Sequence, residues 1–198
     1  MHRLDPFFFA VREGKAADAR FVLCVDRDGA LIEEKHYLSD PAQVKFTPDA
    51  VPALRRAKAA GAFIAIISNQ AGLAKGKFGM ADLEAVTRTV LEACGDAIDC
   101  AINSPFHPEG TVAEFAISCD SRKPGIGMYR YLQKRYALPD VPRFMIGDKL
   151  SDLDFGSGIG GTSYLVATGY GHRDGAARGK GPEFATLADA VDEIIASR

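Results

Sequence analysis

The segment Phe21-Val22-Leu23-Cys24-Val25-Asp26-Arg27-Asp28-Gly29 constrains this chain more than any other. Its five apolar residues read as a strand, in which successive side chains point to opposite faces. At the end of the strand the chain must pass into a loop, and Gly29 makes a sharp turn there cheap. Asp26 and Asp28 can then face one pocket at the carboxyl edge of a sheet, where open α/β folds bind ligands. Two close carboxylates repel, so the pair asks for a cation. Mg²⁺ together with phosphate suits a site built only of oxygen.

The rest of the chain alternates short apolar runs with helix-like segments. Strands are predicted at Phe21–Val25, Ala62–Ile67, Cys100–Ile102, Arg143–Ile146 and Ser163–Val166. Thr47-Pro48 opens a helix that Gly61 closes. Leu83, Val86, Val90 and Leu91 recur at helical spacing between Met80 and Cys94. Further helices are predicted at Ile126–Tyr136 and Leu187–Ile195. Residues 104–121 read as a long loop and residues 169–182 as a surface loop. The four glycines at 156, 158, 160 and 161 make the segment after Asp152 a poor helix, each costing up to about 1 kcal/mol relative to alanine. This alternation predicts an α/β fold with three layers: a Rossmann-like parallel sheet with helices on both faces. Residues 1–20 read as an N-terminal extension and residues 21–198 as the folded domain. Phe7–Phe9 are expected to pack on that domain.

Composition excludes several classes of function. The 198 residues suit one domain with a sizeable core. The formal net charge of −2 gives no general attraction to nucleic acid or to an anionic membrane. No apolar run approaches the roughly 18 residues of a membrane-spanning helix. The start of the chain lacks the long apolar region of a signal peptide. The four cysteines form no Cys-x-x-Cys pair and three fall in or beside apolar segments, so reduced thiols and a cytoplasmic location are expected. The expected partner is a small-molecule phosphate ester, and the expected state a monomer or weak homodimer.

Polar sets follow four of the elements. Asp26 can attack a phosphoryl group, and Asp28 can protonate the leaving oxygen and then activate water. Ser68-Asn69-Gln70 follows the second strand, where a hydroxyl and nearby N–H groups can hold a phosphoryl oxygen. Arg122-Lys123-Pro124 precedes a helix entry and offers a compact charge and a fork to anionic groups. Gly147-Asp148-Lys149-Leu150-Ser151-Asp152 follows the fourth strand. Asp148 there can complete a Mg²⁺ shell with Asp26, and Asp152 can support it from behind. Each set alone fits a plain turn or cap. Together they supply nucleophile, oxygen donor, cation and metal ligand around one sheet.

On these residues the chain resembles the haloacid dehalogenase (HAD) superfamily of phosphatases over residues 21 to about 170. The strings Asp26-Arg27-Asp28-Gly29, Ser68 to Phe78, His107-Pro108-Glu109-Gly110, Arg122-Lys123-Pro124 and Gly147-Asp148-Lys149-Leu150 resemble one branch of it. That branch holds the D-glycero-D-manno-heptose 1,7-bisphosphate phosphatases and the related histidinol-phosphate phosphatases. The resemblance implies an aspartyl-phosphate mechanism with Asp26 as nucleophile and Asp28 as acid/base. It implies Mg²⁺ on Asp26, on Asp28 through its backbone carbonyl, and on Asp148. Ser68 and Lys123 would hold the transferring phosphoryl group. Asn69, Gln70, Arg122 and Lys149 would lie near the substrate, with Glu34 to Tyr37 on a flap. The chain leaves no room for a large cap domain, so an open site is expected.

Two departures stand out. The branch commonly carries a structural zinc in the loop before Arg-Lys-Pro, on Cys-x-His and Cys-x-Cys ligands. Here those positions read Ser104-Pro105-Phe106 and Cys119-Asp120-Ser121, and one ligand of four remains, so no structural zinc is expected. The loop must be held by packing, with Phe106 turned inward. Ala30 stands where a threonine is usual. Two other readings compete: a non-enzymatic phospho-acceptor domain, and a degenerate phosphatase that binds without turnover. A receiver places its acceptor Asp after the third strand, whereas this chain has Asn103-Ser104 there.

Overall fold

The computed structural model describes residues 5–171, 177 and 179–198. Seven strands form one sheet: β1 (Phe8–Ala10), β2 (Phe21–Val25), β3 (Ala62–Asn69), β4 (Cys100–Ser104), β5 (Arg143–Gly147), β6 (Thr162–Val166) and β7 (Glu183–Phe184). Six α-helices accompany them among the described residues: α1 (Ala50–Ala59), α2 (Ala71–Ala74), α3 (Met80–Cys94), α4 (Gly127–Tyr136), α5 (Leu150–Gly158) and α6 (Leu187–Ala196). The strand order is β1-β4-β3-β2-β5-β6-β7, parallel throughout except that β1 runs antiparallel to β4.

The two-residue period of the strands splits the core into two layers. Phe21, Leu23 and Val25 of β2 join Ile64 and Ile66 of β3 under α1, α3 and α6. Val22 and Cys24 turn the other way, with Phe63, Ala65 and Ile67, toward α4 and Phe155 of α5. β2 is buried along its whole length, as a central parallel strand covered on both faces must be. The expected three-layer α/β architecture is therefore present. Among the described residues no large unit is inserted between its elements. Residues 26–49 and 105–126 make the long connections on the site side of the sheet.

The structure adds elements to the sequence reading. The extension contributes β1, with Phe8 opposite Ile102 and Ala10 opposite Cys100. Phe7 meets Phe106 at 6.3 Å and Phe115 at 5.9 Å, ring centroid to centroid, both edge to face. Phe106 is buried, as expected, and the loop is also tied to α2 by Thr111 and Val112 N–H donating to Ala74 O. Such aromatic pairs contribute about 0.5–1.5 kcal/mol each beyond their area.

The prediction that residues after Asp152 make a poor helix is corrected: α5 runs to Gly158. Gly156 is what lets it pack. A Cβ there would lie 2.0 Å from Ser163 Oγ of β6 and 2.9 Å from Met145 Cβ of β5. Close approach to the sheet outweighs an intrinsic helix cost of about 1 kcal/mol. The surface-loop prediction for 169–182 is also revised, because Gly169 and Tyr170 reach the polar end of the sheet. Residues 172–176 and 178 of that stretch, and 1–4 of the extension, lie outside the described residues. Among the described residues no helix is long and apolar enough to cross a membrane.

Candidate active site

Parallel strands end together, so β2, β3 and β5 deliver Asp26, Ser68-Asn69 and Asp148 to one edge. A cavity of about 300 Å³ lies there, lined among others by Asp26, Asp28, Ser68, Arg122, Lys123 and Lys149. Tyr37, Asn69, Gln70, Asp152 and Tyr170 also face it. Every proposed catalytic and substrate-binding side chain from the sequence therefore lies around this cavity. Asp148 lies against it through its carboxylate neighbours rather than in its lining.

Lys123 is the centre of the charge arrangement. Its buried amine donates to Asp26 Oδ1 at 2.8 Å and to Ile67 O at 2.7 Å, and pairs with Asp152 Oδ1 at 2.6 Å. Burial pulls its pKa down, but Asp152 and Asp26 more than offset that, and the net direction is upward. It is a lysinium held by two carboxylates. Asn69 sets its position: Nδ2 donates to Lys123 O at 3.1 Å, and Lys123 N donates to Asn69 Oδ1 at 2.9 Å. Both ends of the Asn69 amide are thus engaged with the backbone of Lys123.

Asp26, Asp148 and Asp152 each offer an oxygen within 4.8 Å of the others, all three buried. Asp148 accepts from Tyr170 N at 2.7 Å through Oδ2, while Oδ1 is buried without a hydrogen-bond partner among the described residues. Its carboxyl is pushed up to about 7, chiefly by burial and then by the charge of Asp26. Gly29, at φ +90°, and Gly169 close around it. A Cβ on either would come within 2.2 Å and 2.1 Å of Asp148 Oδ2. The glycine expected to ease the turn after Asp28 therefore also makes room for the metal-ligating candidate. The Lys149 amine lies 3.5 Å from Asp148 Oδ1, and three clustered buried carboxylates suit a hard divalent cation that takes oxygen ligands, Mg²⁺ among them.

The carboxylate of Asp28 is not part of that cluster. It is gripped by Arg27, whose Nε donates to Oδ2 at 3.0 Å and Nη2 to Oδ1 at 3.1 Å. Gln70 Nε2 donates to the same Oδ2 at 2.7 Å and to Ser68 Oγ at 2.7 Å. Arg27 is 1% exposed, and its Nη1 has no hydrogen-bond partner among the described residues. A buried donor left unmet costs about 1–3 kcal/mol.

At the rim, Lys149 lies 3.5 Å from Glu34 Oε2 and 4.8 Å from the centre of the Tyr170 ring. Burial lowers its pKa, but Asp26, Asp148 and Glu34 carry the net shift upward. The Tyr170 hydroxyl meets His36 Nδ1 at 3.0 Å, which joins the flap to the loop after β6. His36 and Tyr37 both adopt left-handed backbone, at φ 47° and 60°, an uncommon conformation for such residues. Arg122 is held through Nη1 to Phe106 O at 3.2 Å, and burial lowers its pKa.

Sequence reasoning missed Arg27, Tyr170 and the direct pairing of Asp152 with Lys123. Arg27 sits between the two named aspartates, and an arginine next to a buried strand was the available signal. Tyr170 carried none, since it reaches Asp148 by its backbone N–H.

A parallel sheet with an aspartate, a hydroxyl, a buried lysine and an acidic cluster at its carboxyl edge defines the class: an α/β protein built around an aspartate-centred, anion-accepting site. Comparison with known proteins narrows it. Residues 121–194 match the HAD-hydrolase-like family and residues 22–149 the polynucleotide kinase 3 phosphatase family. A D-glycero-β-D-manno-heptose-1,7-bisphosphate 7-phosphatase of Rhodopseudomonas palustris is 34% identical over 148 residues, 73% of this chain and 82% of the relative. The enzyme of the same name from Escherichia coli K12 is 32% identical over 149 residues, 73% of this chain and 78% of the relative. Among solved structures, the D,D-heptose 1,7-bisphosphate phosphatase of B. bronchiseptica, complexed with magnesium and phosphate, superposes with a TM-score of 0.76. It is 27% identical, covering 89% of this chain and 99% of that one. This chain belongs to the haloacid dehalogenase-like family of hydrolases, and within it is similar to the heptose bisphosphate phosphatases.

Proposed function

We propose that this protein is a Mg²⁺-dependent phosphomonoesterase that removes the 7-phosphate of D-glycero-D-manno-heptose 1,7-bisphosphate through an aspartyl-phosphate on Asp26. The observation that carries this reading is the Lys123 amine, shared between Asp26 and Asp152 beside the buried Asp148 carboxylate. The names and coverage of the relatives support the substrate.

Asp26 attacks phosphorus, and Asp28 donates a proton to the departing sugar oxygen and later takes one from water. Lys123 and the Ser68 hydroxyl bind the non-bridging oxygens. Asn69 fixes Lys123 in place, and Gln70 fixes Asp28 and Ser68. Arg122, Lys149 and Tyr37 line the rim that receives the sugar and its second phosphate. Asp26, the main-chain carbonyl of Asp28 and Asp148 would hold Mg²⁺, which offsets the negative charge of the phosphoryl oxygens. The four cysteines are free and three are buried, which suits a reducing cytoplasm, and the protein acts as a monomer or weak homodimer on a small molecule.

The test is phosphate release from sugar bisphosphates, sugar monophosphates, histidinol phosphate and nucleotides, with and without Mg²⁺. The heptose bisphosphate should give the highest kcat/KM. Release from none of these esters in the presence of Mg²⁺ overturns the reading.

Metal binding should also appear in stability. An ion that binds only the folded state adds about 2.7 kcal/mol at 100 times its Kd. With the Asp148 carboxyl at about 7, Mg²⁺ must displace a proton at low pH. The sign follows: this acid is raised in the folded state, so metal-free stability from it falls as pH climbs from its unfolded value through 7. The rise in Tm on adding Mg²⁺ should therefore be larger at pH 8 than at pH 6. An equal or larger rise at pH 6 would contradict a raised Asp148 carboxyl competing with the metal for its proton.

A further inference from the structure

We propose that Arg27 is a positioning residue that holds the proton-transfer carboxylate, Asp28, in its working geometry; this rests on the phosphatase reading above. Arg27 heads the fully buried side chains by volume. Its guanidinium makes two bonds to Asp28, at 3.0 and 3.1 Å. The same Nη2 donates to Gln70 Oε1 at 3.0 Å. That contact sets the direction of the Gln70 amide. With its oxygen toward Arg27, the NH₂ group is turned to Asp28 Oδ2 and Ser68 Oγ, each at 2.7 Å. Gln70 thereby occupies an accepting lone pair of Ser68 and leaves the hydroxyl proton for donation.

The nucleophile is held differently. Asp26 is bound by Lys123, which is anchored by Ile67 O and Asp152. The site therefore has two sets of contacts. One aims the attacking carboxylate. The other, organised by Arg27, aims the carboxylate that moves the proton. Loss of Arg27 should harm proton transfer far more than attack.

The chemistry separates these effects. In the first half-reaction an Asp26 oxygen bonds to phosphorus as the ester P–O bond breaks, and a proton on the lone pair of Asp28 Oδ1 that Arg27 does not use passes to the leaving oxygen to give the alcohol. In the second, Asp28, now a carboxylate, takes a proton from water as the water oxygen bonds to phosphorus. The bond from phosphorus to Asp26 breaks, phosphate leaves, and Asp28 ends protonated. A sugar alkoxide needs the proton to leave. A 4-nitrophenolate does not.

Arg27→Gln and Arg27→Lys, with folding checked by thermal melting, test this. For the sugar phosphate, kcat/KM should fall about 10²-fold, the usual size of general acid–base assistance. For 4-nitrophenyl phosphate, kcat/KM should change far less. Its kcat should fall, with a burst of one equivalent of nitrophenolate as the phospho-enzyme waits for water. If Arg27→Gln does not fold, Gln70→Met, which loses no charge but also frees Ser68, should lower kcat/KM on both esters and lower it more on the sugar phosphate. Equal losses on both esters without a burst overturn the assignment, as does wild-type behaviour of Arg27→Lys, which keeps the charge but not the fork. Failure of the wild type on both esters overturns the phosphatase reading itself.

Discussion

Replacing Asp26 by asparagine is expected to cut phosphate release by about 10⁴-fold or more, the scale seen when a covalent nucleophile is removed. The amide is nearly isosteric and keeps an acceptor for the Lys123 amine. Lys123 also keeps Asp152 at 2.6 Å and Ile67 O at 2.7 Å, so the local packing should survive. What is lost is the anionic oxygen that attacks. The substitution also removes one negative charge from a buried group of three carboxylates. Asp26 is one of the charges that raise the Asp148 carboxyl, so that carboxyl should titrate lower in the variant. The Tm of the metal-free variant should accordingly equal or exceed that of the wild type at pH 8. Phosphate release with saturating Mg²⁺, measured beside a melting curve, checks both parts. Activity within about tenfold of wild type would remove the covalent route, since an amide cannot replace the nucleophile.

The strand ends of this fold were readable because two signals agreed there. The continuous apolar runs of β2, β3 and β5 stop at Asp26, Ser68 and Asp148, and strands of a parallel sheet stop at one edge. Lys123 was readable as a cation before a helix. Its partners were not, because they lie 97 residues away at Asp26 and 56 at Ile67. Asn69 shows the limit from another side. Its residue type suited a substrate contact, yet its amide is engaged by a backbone 54 residues on. The helix α5 was hidden by its glycines, because propensity counts what Gly156 costs the helix and not what it gives the helix–sheet contact. Strand β1 was hidden for a related reason. A run of three phenylalanines reads as packing material, and only the free edge of β4 makes part of it a strand.

Lys123→Met should be damaging in two separable ways. The variant keeps the unbranched apolar stem, one atom shorter, and loses the charge. It leaves Asp26 and Asp152 buried beside Asp148 with no cation between them. Breaking a buried ion pair from one side costs about 3–5 kcal/mol. Phosphate release should fall on the order of 10³-fold, as the transferring group loses its fixed positive partner. The stability loss should depend on pH. In the wild type the lysine is raised in the folded state, so its contribution holds below the unfolded lysine value and is lost only at alkaline pH. In the variant Asp152, already raised by burial, loses its cation, so its charge destabilises the fold increasingly as pH rises. Mg²⁺ offers the same carboxylates another cation and should restore part of the stability but little of the activity. Urea unfolding at pH 5.5 and pH 8, with and without Mg²⁺, reads all of these at once. A loss below about 1 kcal/mol at pH 8 without metal would place the pair among weak surface bridges and contradict its burial.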